Sequence, residues 1–172
     1  MSHFAFRLFA CAFICAVAVG CAGYRVGPTN GMAARSKTIT LKPFENDTME
    51  PRLGMAVTTA LRKTIQRDGT FELETQGSGD IVVHGKILKY ERSPLTFDPQ
   101  DILTVRDMEV YIIARVTATD MATGKALLDR DVSGRTTLRL ADNMASVERQ
   151  AAPVLAEDLA RNITSLLADG SW

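Results

Sequence analysis

The pattern of apolar and polar residues changes period several times along this 172-residue chain. Apolar and polar residues alternate over 37–44, which predicts a β-strand. After Pro51 the apolar residues recur at every fourth position and stop before Asp68-Gly69, which predicts an amphipathic helix with a glycine at its end. The apolar positions of this helix are Leu53, Val57, Leu61 and Ile65.

Two long strands are predicted in the middle of the chain, after a short extended piece at 71–73. Residues 80–92 alternate, with a slip at 88–90 that indicates a β-bulge. Residues 108–118 alternate over their full length. The segment between the two strands, 93–102, contains two prolines, and we expect it to be a hairpin tip that is too long for a tight turn.

A third strand and a second helix complete the pattern. Residues 120–125 predict a hairpin turn in which Gly124 takes the positive φ. Residues 128–138 continue as the partner strand, and the helical period returns between Asn143 and Leu167. Pro153 lies inside this helical span, where it forces a kink or a later start.

The order of the predicted elements is therefore β-α-β-β-β-α. We expect residues 37–172 to form a single α+β domain, with two helices packed on one face of a four-stranded, mostly antiparallel sheet. Each helix has a single apolar stripe, so the other face of the sheet should remain uncovered.

The start of the chain predicts an export signal over residues 1–20. Arg7 is followed by thirteen uncharged residues, 8–20, which are too few to span a bilayer but suit the central region of a secretory signal. A cysteine directly after the small residues of the cleavage site, here Cys21, is typical of a bacterial lipobox, whose thiol is acylated with chains such as palmitate. The residue three before it is Ala18, where Leu is usual. An ordinary signal peptide with a chance cysteine and a poor transmembrane anchor are the alternatives.

Cleavage before Cys21 would remove 20 of the 172 residues and leave 152. Cys11 and Cys15 would leave with the signal and Cys21 would carry lipid, so no intramolecular disulfide could form. Residues 21–36 are rich in small residues, glycine and proline, and we expect them to be a tether between the lipid anchor and the domain. Losing Arg7 leaves 19 basic against 20 acidic residues, which argues against nucleic-acid binding.

The sequence contains no pattern that predicts an enzyme. The mature chain has one histidine, His84, which lacks the Cys or His partners of a zinc site or of a nucleophile pair. Residues 77–80 and 123–125 look faintly like phosphate loops, but neither has the full P-loop spacing before a helix, so both are interpreted as turns. We expect no catalytic residue, no metal and no cofactor.

Five stretches of the chain together carry a family resemblance. They are the lipobox followed by Gly23-Tyr24-Arg25, the segment 39–61 with its run Pro43-Phe44-Glu45-Asn46-Asp47-Thr48, the strand 80–86, the hairpin 120–125, and the closing helix 155–167 near Trp172. In this order they resemble the LptE family, the lipopolysaccharide-assembly lipoproteins of the Gram-negative outer membrane. Each motif is loose, and the order of the elements contributes most to the resemblance.

The resemblance implies a non-enzymatic protein that sits inside the β-barrel of LptD, supports its assembly and helps pass lipopolysaccharide into the outer leaflet. Ala22, directly after the cysteine, is compatible with sorting to the outer membrane, with the domain on the periplasmic side. The first strand, the Phe-Glu-Asn-Asp-Thr run and the helix also resemble the curli-secretion lipoprotein and the lipoprotein activators of penicillin-binding proteins. The alternatives are therefore a secretion-pore subunit or a regulator of peptidoglycan synthesis, and a periplasmic lipoprotein of unrelated binding role. Three long consecutive strands between the helices favour the LptE arrangement.

Two sets of residues are candidates for these contacts. Cations on the outward positions of the long strands could bind lipopolysaccharide phosphates: Lys86, Arg115, Arg135 and Arg139. The alternative is a solvated sheet face with ordinary charge scatter, which Asp129 and Asp131 on the same side favour. The segment 93–103 carries apolar side chains suited to entering a partner: Leu95, Phe97 and Ile102.

Overall fold

The computed structural model of this protein describes residues 35–140 and 144–170, with the side chains of residue 102 and residues 144–149 excluded. The predicted signal and Cys21 lie outside these residues. Within them, no helix combines the length and the apolar character needed to cross a membrane.

The described residues form six strands and two helices. The strands are β1 (Thr38–Leu41), β2 (Glu45–Asn46), β3 (Glu72–Glu74), β4 (Ile81–Asp98), β5 (Asp101–Asp120) and β6 (Ala126–Arg139), and the helices are α1 (Leu53–Asp68) and α2 (Met144–Asp169). The predicted α+β class with two helices is confirmed. The sheet has six strands rather than four, because β2 and β3 are too short to produce a periodic pattern but still pair with neighbouring strands.

The six strands make one mixed sheet in the order β3-β1-β4-β5-β6, with β2 beside β4. β1 runs parallel to β3 and to β4, and β2 runs parallel to β4. The three long strands β4, β5 and β6 form an antiparallel meander. The predicted bulge in β4 is confirmed by a register shift between Ile87 and Lys89.

One face of the meander packs against the helices. Its inward side chains are fully buried on β4 and β5: Ile81, Val83, Ile87, Val110, Ile112, Ala114, Val116 and Ala118. Leu61 of α1 and Leu159 of α2 are also fully buried in the same core. Outward neighbours such as Arg115 and Asp131 are exposed, so none of the described elements covers the second face, as predicted.

Close backbone approaches fix the helices against the sheet. A Cβ on Gly134 of β6 would lie 2.7 Å from the Leu159 amide nitrogen, so only glycine lets α2 come this near. A Cβ on Gly85 would lie 2.2 Å from the Phe44 ring, which therefore rests directly on the β4 backbone. Thr58 Oγ1 accepts a hydrogen bond from the Phe44 amide (2.9 Å) and ties this turn to α1.

The turns agree with the predicted special positions. Gly69 ends α1 with a φ of 75°, and Gly124 takes a φ of 67° in the β5–β6 hairpin. The second helix runs through Pro153 rather than starting after it. This placement costs one helical hydrogen bond, since proline has no amide hydrogen.

The segment 93–102 is not the long loop that its prolines suggest. β4 continues to Asp98 and β5 starts at Asp101, so only Pro99 and Gln100 connect them. Pro94 is accommodated because β2 covers β4 only at Lys86 and Ile87, which makes β4 an edge strand further along. Three register shifts beyond Pro94 twist and loosen the ladder towards its tip.

Candidate functional site

The outward side chains of β4, β5 and β6 form a surface that we call the open sheet face. The strand register places all four predicted cations on it: Lys86, Arg115, Arg135 and Arg139. Arg115 lies between Lys86 on β4 and Asp131 on β6. Arg139 lies opposite Asp107.

Two of these cations are engaged by carboxylates. Arg115 Nε donates to Asp129 Oδ1 at 2.7 Å, and its Nη1 donates to Asp131 Oδ1 at 3.3 Å. The hydrogen bond to Asp129, followed by that to Asp131, raises the pKa of Arg115 above its ordinary value. Lys86 Nζ lies 2.8 Å from Asp47 Oδ2, and the hydrogen bond between them raises the pKa of Lys86.

Arg139 forms a third pair at the far end of the face. Its Nε donates to Asp107 Oδ1 at 3.2 Å, while the side chain of Arg139 remains 70% exposed. Asp107 also accepts the Thr96 hydroxyl, and that hydrogen bond is the main reason that the pKa of Asp107 is lowered; Arg139 lowers it further. This pair therefore links β6 to the outer part of the β4–β5 ladder.

Arg135 differs from the other three cations. Among the described residues, no carboxylate lies within ion-pair distance of its guanidinium. Its backbone amide donates to Asp158 Oδ2 at 2.9 Å, which fixes the strand but leaves the side chain available. The opposite residue, Tyr111, donates its hydroxyl to Glu91 across the β4–β5 pair, and this hydrogen bond raises the pKa of Tyr111.

Charges on the open sheet face are balanced. Its five cations are Lys86, Lys89, Arg115, Arg135 and Arg139, and its five carboxylates are Glu91, Asp107, Glu109, Asp129 and Asp131. Exposed pairs of this kind contribute little to stability. A phosphate that binds near Arg115 would have to displace two aspartates, whereas one near Arg135 would displace none in the described part of the chain.

The outer β4–β5 ladder, residues 93–106, is called the hairpin arm. Leu95 and Phe97 are 53% and 47% exposed on it, and Leu103, which the sequence did not single out, is 87% exposed. Ile102 lies within β5, and its side chain is outside the described set.

Aspartates hold the tip of the hairpin arm in place. Asp98 Oδ1 accepts the Gln100 amide, and Asp101 accepts both the Leu103 amide and the Thr104 hydroxyl. The Thr104 hydrogen bond, followed by that of Leu103, lowers the pKa of Asp101. The arm thus presents apolar side chains on a hydrogen-bonded ladder with a polar tip.

The described residues offer little to metal or nucleophile chemistry. No group of three His, Cys, Asp or Glu in residues 35–140 or 144–170 is placed to hold a metal ion. His84 Nε2 lies 3.2 Å from Glu45 Oε1 on the surface of the sheet, without a further histidine or cysteine partner in this part of the chain.

Comparison with known proteins identifies the family. A model of the LptE family, described as lipopolysaccharide-assembly, matches residues 36–167. The chain belongs to this family. The match confirms the family predicted from the sequence, and membership of it makes the protein a lipopolysaccharide-assembly lipoprotein.

Solved structures share the fold at low sequence identity. Protein XCC0632 from Xanthomonas campestris is 9% identical, with a TM-score of 0.56 over 84% of this chain and 89% of that one. The hypothetical protein CT253 from Chlamydia trachomatis is 8% identical, with a TM-score of 0.53 over 76% and 95%. No relative was found among curated proteins.

Proposed function

We propose that this protein is an outer-membrane lipoprotein, acylated at Cys21, that plugs an LptD-type β-barrel from the periplasmic side. In this role it supports assembly of the barrel and assists the insertion of lipopolysaccharide into the outer leaflet. The proposal depends chiefly on one structural observation, the hairpin arm, which extends beyond the helix-covered core and exposes Leu95, Phe97 and Leu103.

The arm suits capture of a protein partner. Burying a fully exposed large apolar side chain gains roughly 1.5–3 kcal/mol, so Leu95 and Phe97, which are about half exposed, gain about half of that when a partner covers them. The ladder holds them in place before binding, so little conformational entropy is lost on association. The arm is a two-stranded ladder, and within the described residues no third strand pairs with its outer edges. A strand of a β-barrel that packs against it would therefore cover both its side chains and its backbone.

The open sheet face suits contact with a ligand that carries phosphates beside acyl chains. Arg135 and Arg139 project from the same side of β6, about 13 Å apart along the strand. Ile113 and Tyr111 lie between the two flanking strands and add apolar surface. Arg135 is the preferred phosphate contact, because its guanidinium needs no carboxylate to be displaced within the described residues.

Capture of the barrel tests the proposal. The tagged protein is purified from solubilised outer membranes, and the recovered β-barrel protein is identified and quantified by mass spectrometry. We expect the wild type to recover an LptD-type barrel in an equal molar amount. The double variant Leu95→Ser/Phe97→Ser should recover at least about tenfold less, which corresponds to about 1.4 kcal/mol.

A matched control is available on the other hairpin. Met121 is 53% exposed in the β5–β6 turn, so Met121→Ser removes similar apolar surface away from the arm. This variant should recover the barrel as the wild type does. Equal losses in both variants, or recovery of no barrel by the wild type, would refute the proposed plug.

Lipid attachment has its own measurement. The intact mass of the mature wild type should show acyl chains on Cys21, and Cys21→Ser should lack them and shift towards the soluble periplasm. An unmodified Cys21 in the wild type would remove the anchor from the proposal and leave the barrel contact to be judged separately.

A further inference from the structure

A second charged surface lies on the opposite side of the molecule from the open sheet face. Helix α1 and its preceding residue carry four exposed cations, Arg52, Arg62, Lys63 and Arg67. At about 100° per residue these four positions fall within a sector of roughly 140° that faces away from the core. We call this surface the basic helix face.

Acidic residues are almost absent from the basic helix face. The single acid of α1 is Asp68, at its last position, and its Oδ1 accepts the Thr70 amide. Lys63 Nζ lies 3.5 Å from Glu157 of α2, in a pair whose two side chains are both more than half exposed. Within the described residues, Arg52, Arg62 and Arg67 have no carboxylate within ion-pair distance.

The open sheet face carries a similar number of cations but balances them with carboxylates. The helix dipole favours a cation in the last turn, which accounts for Arg67. It does not account for Arg52 or Arg62, which lie outside that turn. Lys42 lies beside Arg62 in a polar recess of about 410 Å³ and widens the positive region. Glu74 lines the same recess and Glu157 pairs with Lys63, so the surface has an excess of positive charge that these two carboxylates offset only in part.

Apolar side chains interrupt the basic helix face where the two helices meet. Met55 is 76% exposed. A groove of about 630 Å³ runs between the helices next to Met55, and Pro153 forms part of its wall. Exposed apolar residues surrounded by arginine and lysine match a surface that meets both headgroups and the upper acyl region of a bilayer.

The entry of the chain into the domain lies at the C-terminal end of α1, near Arg67. The amide of Arg35 donates to the carbonyl of Thr70 at 2.9 Å, two residues after the helix ends. Thirteen residues lie between Cys21 and Arg35. Fully extended, the fourteen steps from Cys21 to Arg35 reach at most about 50 Å, so a lipid on Cys21 holds this end of the helix within that distance of the membrane surface.

We propose that the basic helix face seats the domain on an anionic phospholipid surface before the barrel captures it. The inference rests on the proposed acylation at Cys21, which keeps the domain at a high local concentration beside the membrane. Seating through α1 turns the open sheet face away from the bilayer and leaves it accessible to its other ligands. The attraction is electrostatic and is screened beyond about 10 Å at 0.1 M salt.

The test uses the mature, acylated full chain reconstituted on vesicles of phosphatidylcholine, with or without 30% phosphatidylglycerol. An environment-sensitive fluorophore is attached at Gln66→Cys on the basic helix face or at Thr137→Cys on the open sheet face. The acylated Cys21 does not react, and Cys11 and Cys15 leave with the signal. Phosphatidylglycerol should blue-shift the label at residue 66 but not the label at residue 137, and 0.5 M NaCl should abolish the shift.

Charge reversal on the basic helix face provides a second test. The double variant Arg62→Glu/Arg67→Glu, carrying the label at residue 66, should lose at least about 90% of the shift. The matched control Lys125→Glu/Arg130→Glu makes the same change in net charge, just before and within β6, and should keep the shift. The proposal would be overturned if phosphatidylglycerol did not shift the fluorescence of the label at residue 66 in the wild type. It would also be overturned if both double variants lost the shift equally.

The outcome separates this inference from the proposed function. Intact mass reports acylation of each variant, and barrel recovery is measured in parallel. If Arg62→Glu/Arg67→Glu loses the lipid-induced shift but recovers the barrel as the wild type does, the result supports membrane binding through the basic helix face. If Arg62→Glu/Arg67→Glu instead lowers barrel recovery and keeps the lipid-induced shift, the basic helix face is a protein contact and the membrane proposal is wrong.

Discussion

The two faces of the β4–β5–β6 meander share the same strands but are built in different ways. On β5, Ile112 and Ala114 point to the helices and are fully buried, while Ile113 and Arg115, which alternate with them, point to the open face. The buried face gains its stability from close packing, which deletion of a few atoms disrupts. The open face consists of exposed ion pairs, which contribute little to stability and can exchange partners.

This difference separates folding from recognition. A surface that contributes little to stability can change its contacts without unfolding the domain. The helix-covered face cannot, because Gly134 and Leu159 already touch. The open face and the hairpin arm are therefore the parts of this fold that can respond to a ligand or a barrel.

The largest effect is expected from adjacent isoleucines on β5. Ile112→Ala should lower the free energy of unfolding by about 2–5 kcal/mol, because it leaves a cavity under the helices. Ile113→Ala, the same substitution on the open face, should cost less than about 1 kcal/mol. Urea denaturation of the two variants measures the difference. Equal costs would mean that a second layer covers the open face.

A smaller effect is expected where α2 closes the edge of β6. Asp158 Oδ2 accepts the Arg135 amide at 2.9 Å, and Asn162 Nδ2 donates to the Ser133 carbonyl at 2.8 Å. These side chains satisfy backbone groups that would otherwise be open to another strand. Asp158→Ala should therefore lower the free energy of unfolding by about 1–2 kcal/mol and promote self-association.

The neighbouring acid provides the control for this edge. Glu157→Ala removes a charge from the same turn of α2, whose contact is a half-exposed pair with Lys63. It should cost no more than about 0.5 kcal/mol and leave the protein monomeric in sedimentation velocity. Association by both variants would show that loss of charge, rather than an opened edge, is responsible.

Much of the fold could be predicted because each long strand buries one face. Alternation over residues 108–118 and the fourfold apolar spacing of α1 follow directly from that burial. β2 has only two residues and therefore has no detectable period. The arm was missed since proline argues against a strand, and only an edge position, which the sequence does not show, permits it.

The candidate site could be predicted only in part. Strand parity places the four cations on one face, as expected from the sequence. Their pairing depends on contacts between elements, such as Lys86 with Asp47 from the turn before α1. The basic helix face was missed because its arginines look like ordinary solvent-exposed positions of an amphipathic helix until their partners are sought in space.

Lipopolysaccharide binding should distinguish Arg135 from a cation on the other side of β6. Arg135→Glu should weaken binding of purified lipopolysaccharide about five- to tenfold at 0.1 M salt, with a smaller loss at 0.5 M, because salt screens the exposed charge. Arg130→Glu changes the same charge on the same exposed strand but outside the open face. Fluorescence titration should show little change in that variant. If both variants weakened lipopolysaccharide binding equally, the effect would come from the net charge of the protein alone.

The smallest effect is expected in the acid stability of the β5–β6 turn. Asp120 Oδ1 accepts the Ala122 and Thr123 amides, and the Thr123 hydrogen bond is the main reason that the pKa of Asp120 is lowered. A carboxyl whose pKa falls on folding stabilises the protein above its unfolded pKa of about 3.9, and this contribution is lost as the pH drops through the folded pKa. Asp120→Asn should therefore flatten the decline in the free energy of unfolding between about pH 5 and pH 2. Thermal unfolding at a series of pH values measures this slope. Met121→Ala in the same turn should leave the slope unchanged. An unaltered slope in Asp120→Asn would show that titration of Asp120 does not contribute to the loss of stability in acid.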